Sequence, residues 1–468
     1  MNGLISSAEP AVNAAYYKNG QRISASQLNA QRERLVGQLD DSCTHILNLC
    51  ACRLHFTLGF GAALLANKVS LLPANHQPQT ILNVLEKYPH TQVLFDSERA
   101  QAVNALLAET DFSSLDIQAL VPEASNASIS LPDDPVGSQS THWDSLLQRI
   151  AGEQQAAIVF TSGSTGEPTE IVKHWGTLVG TTQLLQKRFT HMAQDASLLA
   201  TVPPQHMYGL ETTVMMNLWG GTPVCASQPF FPADIVSELS QLPEPRLLIT
   251  TPFHLETLLD SDLPLPPVTT VVSATAPLKK ATAERAEQLL GCTVEEIYGC
   301  SEAGSLATRR SATEEHWELL DGITIAHSGS EPEVSGPHLD APVPLQDELD
   351  ILSPERFRFL GRSADMVNVA GKRGSLAQLS AQLRAIEGVS DAVFFMRNND
   401  AKGVQRPAAL VVTDQSERDI KKALATVIDP VFMPRPLKRV TEIPRNSVGK
   451  IPREHLLSAL EGNTASHE

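Results

Sequence analysis

An α/β fold is what this sequence predicts: a large layered N-terminal body over residues 1–360 and a small α+β domain over residues 361–468. Three observations carry that reading. From Thr44 onward, helix-like apolar patterns alternate with short apolar runs, which is the rhythm of parallel βα units. The 468 residues exceed what one core serves, at roughly 100 to 200 residues per domain. After Phe359 the texture changes to GRSADMVNVAGKRGSL, and the strongly acidic body gives way to a stretch with an excess of basic residues.

The elements follow in order. Residues 60–66 read as helix, 69–72 as strand, 81–87 as helix and 92–95 as strand. Similar strand-like runs recur at 196–202, 223–226, 246–250 and 269–273, each followed by a turn and a helix-like or polar segment. The stretch 123–139, rich in Pro, Ser and Asp, reads as a surface loop. In the small domain an amphipathic helix is expected at 376–386, strands at 392–396 and 408–412, and a helix at 417–427. The tail 462–468 is expected to fray.

Composition narrows the function classes. Hydrophobic residues at 42% and charged residues at 19% are globular values. A net charge of -17 disfavours nucleic acid or an anionic membrane surface as main partner. Cysteines 43, 50, 52, 225, 292 and 300 form no pattern expected of a zinc site. The opening residues lack the pattern of a secretory signal, so a cytoplasmic protein is expected. The apolar stretch 55–72 is broken by Asn67 and Lys68, so no membrane insertion is expected.

Three segments carry chemistry. In AIVFTSGSTGEPTE, residues 157–170, an apolar strand runs into a loop with Gly163 and Gly166, whose backbone can curve around an anion. Thr161, Ser162, Ser164 and Thr165 add hydroxyl donors for phosphate oxygens. No GKS or GKT follows, so it is not the Walker loop, and by itself such a segment is as often a flexible turn. In EIYGCSEAG, residues 296–304, Glu302 offers the hard oxygen that magnesium prefers, and Ser301 could hold a phosphate oxygen beside it. In PRNSVGKIPREHL, residues 444–456, Lys450 lies where a flexible ammonium could offset charge on a reacting phosphoryl group. Each alone could be a surface turn.

Together, TSGSTGEP, YGCSE, Asp347 followed by FRFLGR ending at Arg362, and PRNSVGK stand in an order and spacing that resembles the superfamily of acyl-CoA synthetases, peptide-synthetase adenylation domains and luciferases. The resemblance spans most of residues 45–456. It implies ATP and magnesium as cofactors, with Thr161 and Thr165 on the phosphates and Ser162, Gly163, Ser164 and Gly166 binding the nucleotide beside them. It places Tyr298 against adenine beside Gly299, Ser301 on phosphate, Glu302 on magnesium, and Asp347 and Arg362 on the ribose. It further implies a mobile C-terminal domain that presents Lys450 for acid activation, and Gly371 with Arg373 along the thiol arm for acyl transfer. Two departures stand out: Thr169 where that superfamily has a lysine, with Lys173 as a compensating candidate, and Ala364 followed by Asp365 at the hinge.

The run VPPQHMYGLE, residues 202–211, resembles the segment bordering the acyl pocket, which implies His206 and Tyr208 near the acid; SATAPL, residues 273–278, implies the same for Ala274. Peptide-synthetase domains hold the substrate ammonium with an aspartate near position 207, whereas the first acid here is Glu211, so amino acids fit least well. The overall look resembles short standalone ligases of aryl polyene pathways. The expectation is therefore a ligase that adenylates an aryl or acyl carboxylic acid and passes it to a phosphopantetheine thiol of an acyl carrier protein. A coenzyme A ligase and a non-catalytic nucleotide-binding relative stay open beside it, and an oxidase like luciferase has no positive sequence support.

Overall fold

The computed structural model describes residues 16–108, 110–119, 147–162, 168–189, 196–328, 331–362, 366–369, 372–397, 407–445, 451 and 453–461. The structure is mixed α/β, as the sequence predicts. The expected loop at 123–139 and the tail 462–468 lie outside the described residues. Contacts divide the chain into two compact units, Met1–Thr324 with Ser335–Val343, and Ile325–Val334 with Pro344–Glu468.

The first unit contains two sheets. One is built from β1 (His45–Asn48), β2 (Val69–Leu72), β3 (Thr91–Phe95), β4 (Ser114–Asp116), β5 (Gln155–Ser162) and β6 (Pro168–His174), in the order β4-β3-β1-β2-β5-β6. All neighbours are parallel except β5 and β6, which pair antiparallel. Helix α1 (Arg53–Leu65) is apolar on nearly every face, so it is buried along almost its whole length rather than along one stripe. Helix α2 (Pro78–Lys87) starts on a proline, whose missing N–H costs nothing in the first turn, and buries Ile81, Val84 and Leu85 at the spacing of one helical face.

The second sheet follows helix α3 (Trp175–Arg188) and includes β7 (Ser197–Ala200), β8 (Val224–Cys225), β9 (Arg246–Thr250), β10 (Thr270–Ser273), β11 (Thr293–Cys300) and β12 (Gly304–Arg310). These run in the order β12-β11-β10-β9-β7-β8. Strands β8, β7, β9, β10 and β11 are parallel, and β9 and β10 carry the buried apolar runs Leu247–Ile249 and Val271–Val272, whereas β11 turns back antiparallel into β12. Between β10 and β11, helix α4 (Lys280–Leu290) buries Ala283, Ala286 and Leu290 and stops at Gly291, whose φ of 65° is a left-handed conformation open to glycine.

A buried arginine ties the two sheets together. Arg53, at the start of α1, donates to the Thr213 hydroxyl at 2.9 Å and to the carbonyls of Ala200 and Val202 at 3.0 and 2.7 Å. Burial lowers its guanidinium to about 10, so it remains charged at neutral pH.

In the second unit, β13 (Asp347–Ser353) pairs antiparallel with β14 (Arg356–Arg362), and β15 (Met366–Val369) with β16 (Lys372–Ser375). Helix α5 (Leu376–Arg384) then leads to β17 (Val389–Met396) and β18 (Pro407–Thr413), helix α6 (Glu417–Leu424) and β19 (Leu437–Arg439). Ser416 caps α6 by accepting the Asp419 N–H at 3.2 Å, and Ile420 and Leu424 lie one turn apart in the core. Among the described residues no helix is long and apolar enough to cross a membrane.

Replacing Arg53 with Met leaves three buried acceptors without their donor. The expected cost is about 3 kcal/mol, read from guanidinium unfolding curves of the two proteins.

Candidate active site

The segment expected to bind phosphate runs in sequence from the end of β5 to the start of β6. Thr161 stands opposite Thr169 and Ser162 opposite Pro168, and the Thr161 hydroxyl donates to the Thr169 carbonyl at 3.5 Å. Gly163, Ser164, Thr165 and Gly166 lie between these partners and outside the described residues. The antiparallel register therefore brings the chain back beside itself within a few residues of Thr161.

Farther along β6 stands Lys173, opposite Ala157. It stands four positions along the strand from Thr169, a run of about 13 Å. Its side chain is buried, and its ammonium donates to the carbonyl oxygen of Glu302 at 2.6 Å. Burial lowers the Lys173 pKa, against the charges of Glu211, Cys300 and Glu302, which favour the ammonium. Lys173 thus joins the strand pair that carries the phosphate loop to the turn between β11 and β12.

That turn, residues 301–303, is held at successive backbone positions. The Ala303 carbonyl accepts from His338 Nε2 at 2.9 Å. The N–H and hydroxyl of Ser305 donate to Glu211 at 3.1 and 2.6 Å. Burial raises the Glu211 carboxyl, opposed by the Ser305 hydrogen bonds and the charge of Lys173. Two glycines let the limbs close: a methyl on Gly299 would lie 2.2 Å from the Gly304 carbonyl oxygen, and one on Gly304 2.4 Å from the Glu211 carboxylate. Gly304 also has φ of 75°. Ser301 is half-buried and Glu302 is exposed at the tip.

The neighbouring side chains fall into place around this turn. Tyr298 is buried with its ring 5.6 Å from that of Trp317, over which Arg309 lies. Glu296 anchors the base of the hairpin, accepting from Leu278 N–H at 2.8 Å and Arg309 Nε at 2.7 Å. Tyr208 donates its hydroxyl to the Val272 carbonyl at 2.8 Å on β10, two residues before the buried Ala274. His206 is half-buried and begins a helical segment that widens to π geometry over Leu210–Met215, the turn that carries Glu211. Trp219 is buried and packs edge-on against Trp175.

In the second unit, Asp347 and Arg362 stand directly opposite each other across β13 and β14, although fourteen residues of chain lie between them. Arg373 lies on β16 opposite Asn368. Gly371, Lys450, Ala364 and Asp365 lie outside the described residues.

Sequence reasoning missed Glu211 as part of the turn, His338 and the buried role of Lys173. Nothing in the spacing of these residues signals that they meet, because each contact joins segments far apart in sequence.

With this geometry in place, comparisons decide the family. The model of the AMP-binding enzyme family matches residues 8–349. The chain belongs to the AMP-binding enzyme family. It is a member of the adenylate-forming superfamily and an ATP-dependent, AMP-forming acid–thiol ligase. It is 23% identical over 312 residues to a 3,4-dihydroxybenzoate aryl-carrier-protein ligase of Bacillus anthracis, a match covering 65% of this chain and 74% of that one. It is 31% identical over 259 residues to a 4-coumarate–CoA ligase of Rhodobacter capsulatus, covering 53% of this chain and 62% of the relative. Its fold matches ATP-bound MatB from Rhodopseudomonas palustris with a TM-score of 0.78 at 18% identity, over 98% of this chain and 97% of that one. An o-succinylbenzoate coenzyme A synthetase from Bacillus subtilis, solved with ATP and magnesium, matches with a TM-score of 0.75 at 16% identity, over 95% and 96% of the two chains.

A Gly304→Ala variant tests the close turn. It is expected to lose at least about 1 kcal/mol of stability through the left-handed backbone alone, and more through the clash with Glu211, measured by urea unfolding.

Proposed function

We propose that this protein adenylates an aryl or acyl carboxylic acid with magnesium-ATP and transfers the acyl group to a phosphopantetheine thiol of an acyl carrier protein. In the first half-reaction the acid's carboxylate attacks the α-phosphorus of ATP, releasing pyrophosphate and forming an acyl adenylate. In the second, the thiol displaces AMP and forms a thioester. The observation that carries this reading is the hydrogen bond from Lys173 to the Glu302 carbonyl, which holds an exposed carboxylate near the strand pair of the phosphate loop.

The residues present fit magnesium arriving with a nucleotide. Glu302 offers an exposed carboxylate oxygen, the hard donor that magnesium takes alongside phosphate oxygens and water. Bound there, it would neutralise charge on the phosphates. Thr161 and Ser162, with Gly163, Ser164, Thr165 and Gly166, bind the phosphate oxygens. Ser301 binds beside them, Tyr298 and Gly299 border the adenine, and Asp347 and Arg362 hold the ribose. Lys450 supplies the cation that offsets charge as pyrophosphate leaves.

The acid side is supported by two facts. The named relatives act on 3,4-dihydroxybenzoate and 4-coumarate, both aromatic acids. Glu211, the first acid after His206, is committed to Ser305, which leaves it unsuited to clamp a substrate ammonium. His206, Tyr208 and Ala274 border the acid, and Gly371 and Arg373 the thiol arm. Free coenzyme A is the second reading for the acceptor, because the second relative is a coenzyme A ligase. The protein works in the cytoplasm, where ATP and both thiols are at hand.

Two measurements test the proposal. Intact mass of a phosphopantetheinylated carrier protein, after incubation with this enzyme, ATP, magnesium and aromatic or fatty acids, is expected to rise by the acyl group; thioester formation on coenzyme A alone would assign the other acceptor. Lys450→Ala is expected to lower acid-dependent pyrophosphate–ATP exchange by about two to three orders of magnitude, and unchanged exchange would remove Lys450 from the mechanism.

A further inference from the structure

Lys173 and Glu211 are the unusual features of the first unit. Both are ionisable, both have a relative exposure of 2%, and each spends its charge on main-chain or near-main-chain groups of one four-residue stretch. A fold that needed only to fill this space would be served as well or better by apolar side chains, because taking two charges out of water is costly before their attraction is counted. What the charges supply instead is direction. Lys173 reaches from β6 of one sheet, and Glu211 from the π-helical turn, to the same hairpin of the other sheet. His338 completes the grip at Ala303.

The arrangement fixes the backbone and spares one side chain. The Glu302 carbonyl, the Ala303 carbonyl and the Ser305 N–H are each bonded to a buried side chain, while the Glu302 carboxylate stands exposed at the tip. The Glu302 carboxylate, with the Cys300 thiol beside it, is open to a cation from solvent, while its backbone carbonyl is held by Lys173. Gly304 lets Glu211 approach, since any other residue there would displace its carboxylate.

We propose that Lys173 and Glu211 are positioning residues that set the Glu302 turn for a metal-bound triphosphate, Lys173 by holding the Glu302 carbonyl and Glu211 by holding the N–H and hydroxyl of Ser305. The proposal rests on the reading of Glu302 as the magnesium carboxylate. It gives Lys173 a role different from that of a phosphate ligand: its ammonium is buried against the magnesium turn, four strand residues away from Thr169. The two side chains act through the turn and touch no substrate.

The experiment is an ATP-binding titration by calorimetry on the full chain, with magnesium chloride and again with EDTA. The variants are Lys173→Met, Lys173→Met combined with Glu211→Gln, and Glu302→Gln. The double variant removes both charges together and leaves no lone buried carboxylate, so it serves if the single Lys173→Met does not fold. The expected result is that the gain in ATP affinity brought by magnesium falls at least about tenfold in the double variant, which removes both charges that hold the turn, while affinity in EDTA changes less than about twofold. Thermal unfolding checks that the variants are folded. A magnesium gain equal to that of the unmodified protein overturns the proposal. So does equal weakening with and without magnesium, since that marks the pair as holding only the fold. Loss of the gain in Glu302→Gln with its retention in the double variant rejects the positioning role but leaves the proposed function standing. An unmodified protein that binds no ATP, or a Glu302→Gln variant that keeps the full gain, overturns the function reading and the proposal with it.

Discussion

A buried ammonium that crosses from one sheet to another is the constraint on which the site depends. Lys173 leaves β6 and ends on the carbonyl of Glu302, so the strand pair flanking the phosphate loop and the tip of the β11–β12 hairpin cannot separate without stranding a charge in the interior. Such a bond is directional in a way that apolar packing is not. It specifies which backbone atom of the turn faces the neighbouring sheet, and so on which side the Glu302 carboxylate emerges. Arg53 plays a related part, joining α1 to Thr213 and to the end of β7 through three acceptors. Both residues exchange stability for geometry, a trade common where a protein holds chemistry on rigid elements.

The electrostatic character of the site follows from that arrangement. Burial depresses Lys173 and raises Glu211, and each supports the charged form of the other, so the pair is stable as a pair and poor as two separate ions. The hairpin also uses charge at its base, where Glu296 binds Arg309 across β11 and β12. These buried carboxylates have committed partners, whereas Glu302 points outward. Where a protein has several acids in one segment, the exposed one is the one suited to a ligand that comes and goes.

Much of the fold is legible in the sequence because parallel βα units have a strong period. The runs at 69–72, 246–250 and 269–273 are rich in β-branched residues and leucine, and the structure has strands there. The Ile420 and Leu424 stripe of α6 is equally plain. The motif TSGSTGEP and the motif YGCSE also announce themselves, since few functions ask for glycine, hydroxyl and carboxylate in that pattern. What local pattern could not reveal is contact at long range. Lys173 meets Glu302 across 129 residues and Glu211 meets Ser305 across 94, so neither pairing leaves a local trace. The π-helical turn at 210–215 is likewise invisible, because its residues read as an ordinary apolar helix until Glu211 finds its partner in another element. Gly304 could have been suspected, since a glycine after a Ser-Glu-Ala turn suits a left-handed backbone, but the carboxylate it accommodates belongs to a distant segment.

The central claim is that the Glu302 carboxylate holds the divalent cation that accompanies ATP. Electron paramagnetic resonance with manganese in place of magnesium reads this directly, because bound and free manganese give distinct signals. The account predicts that manganese binds the protein only weakly alone, binds tightly once ATP is added, and loses that ATP-dependent binding in Glu302→Gln. Full ATP-dependent manganese binding in the Glu302→Gln protein would contradict it.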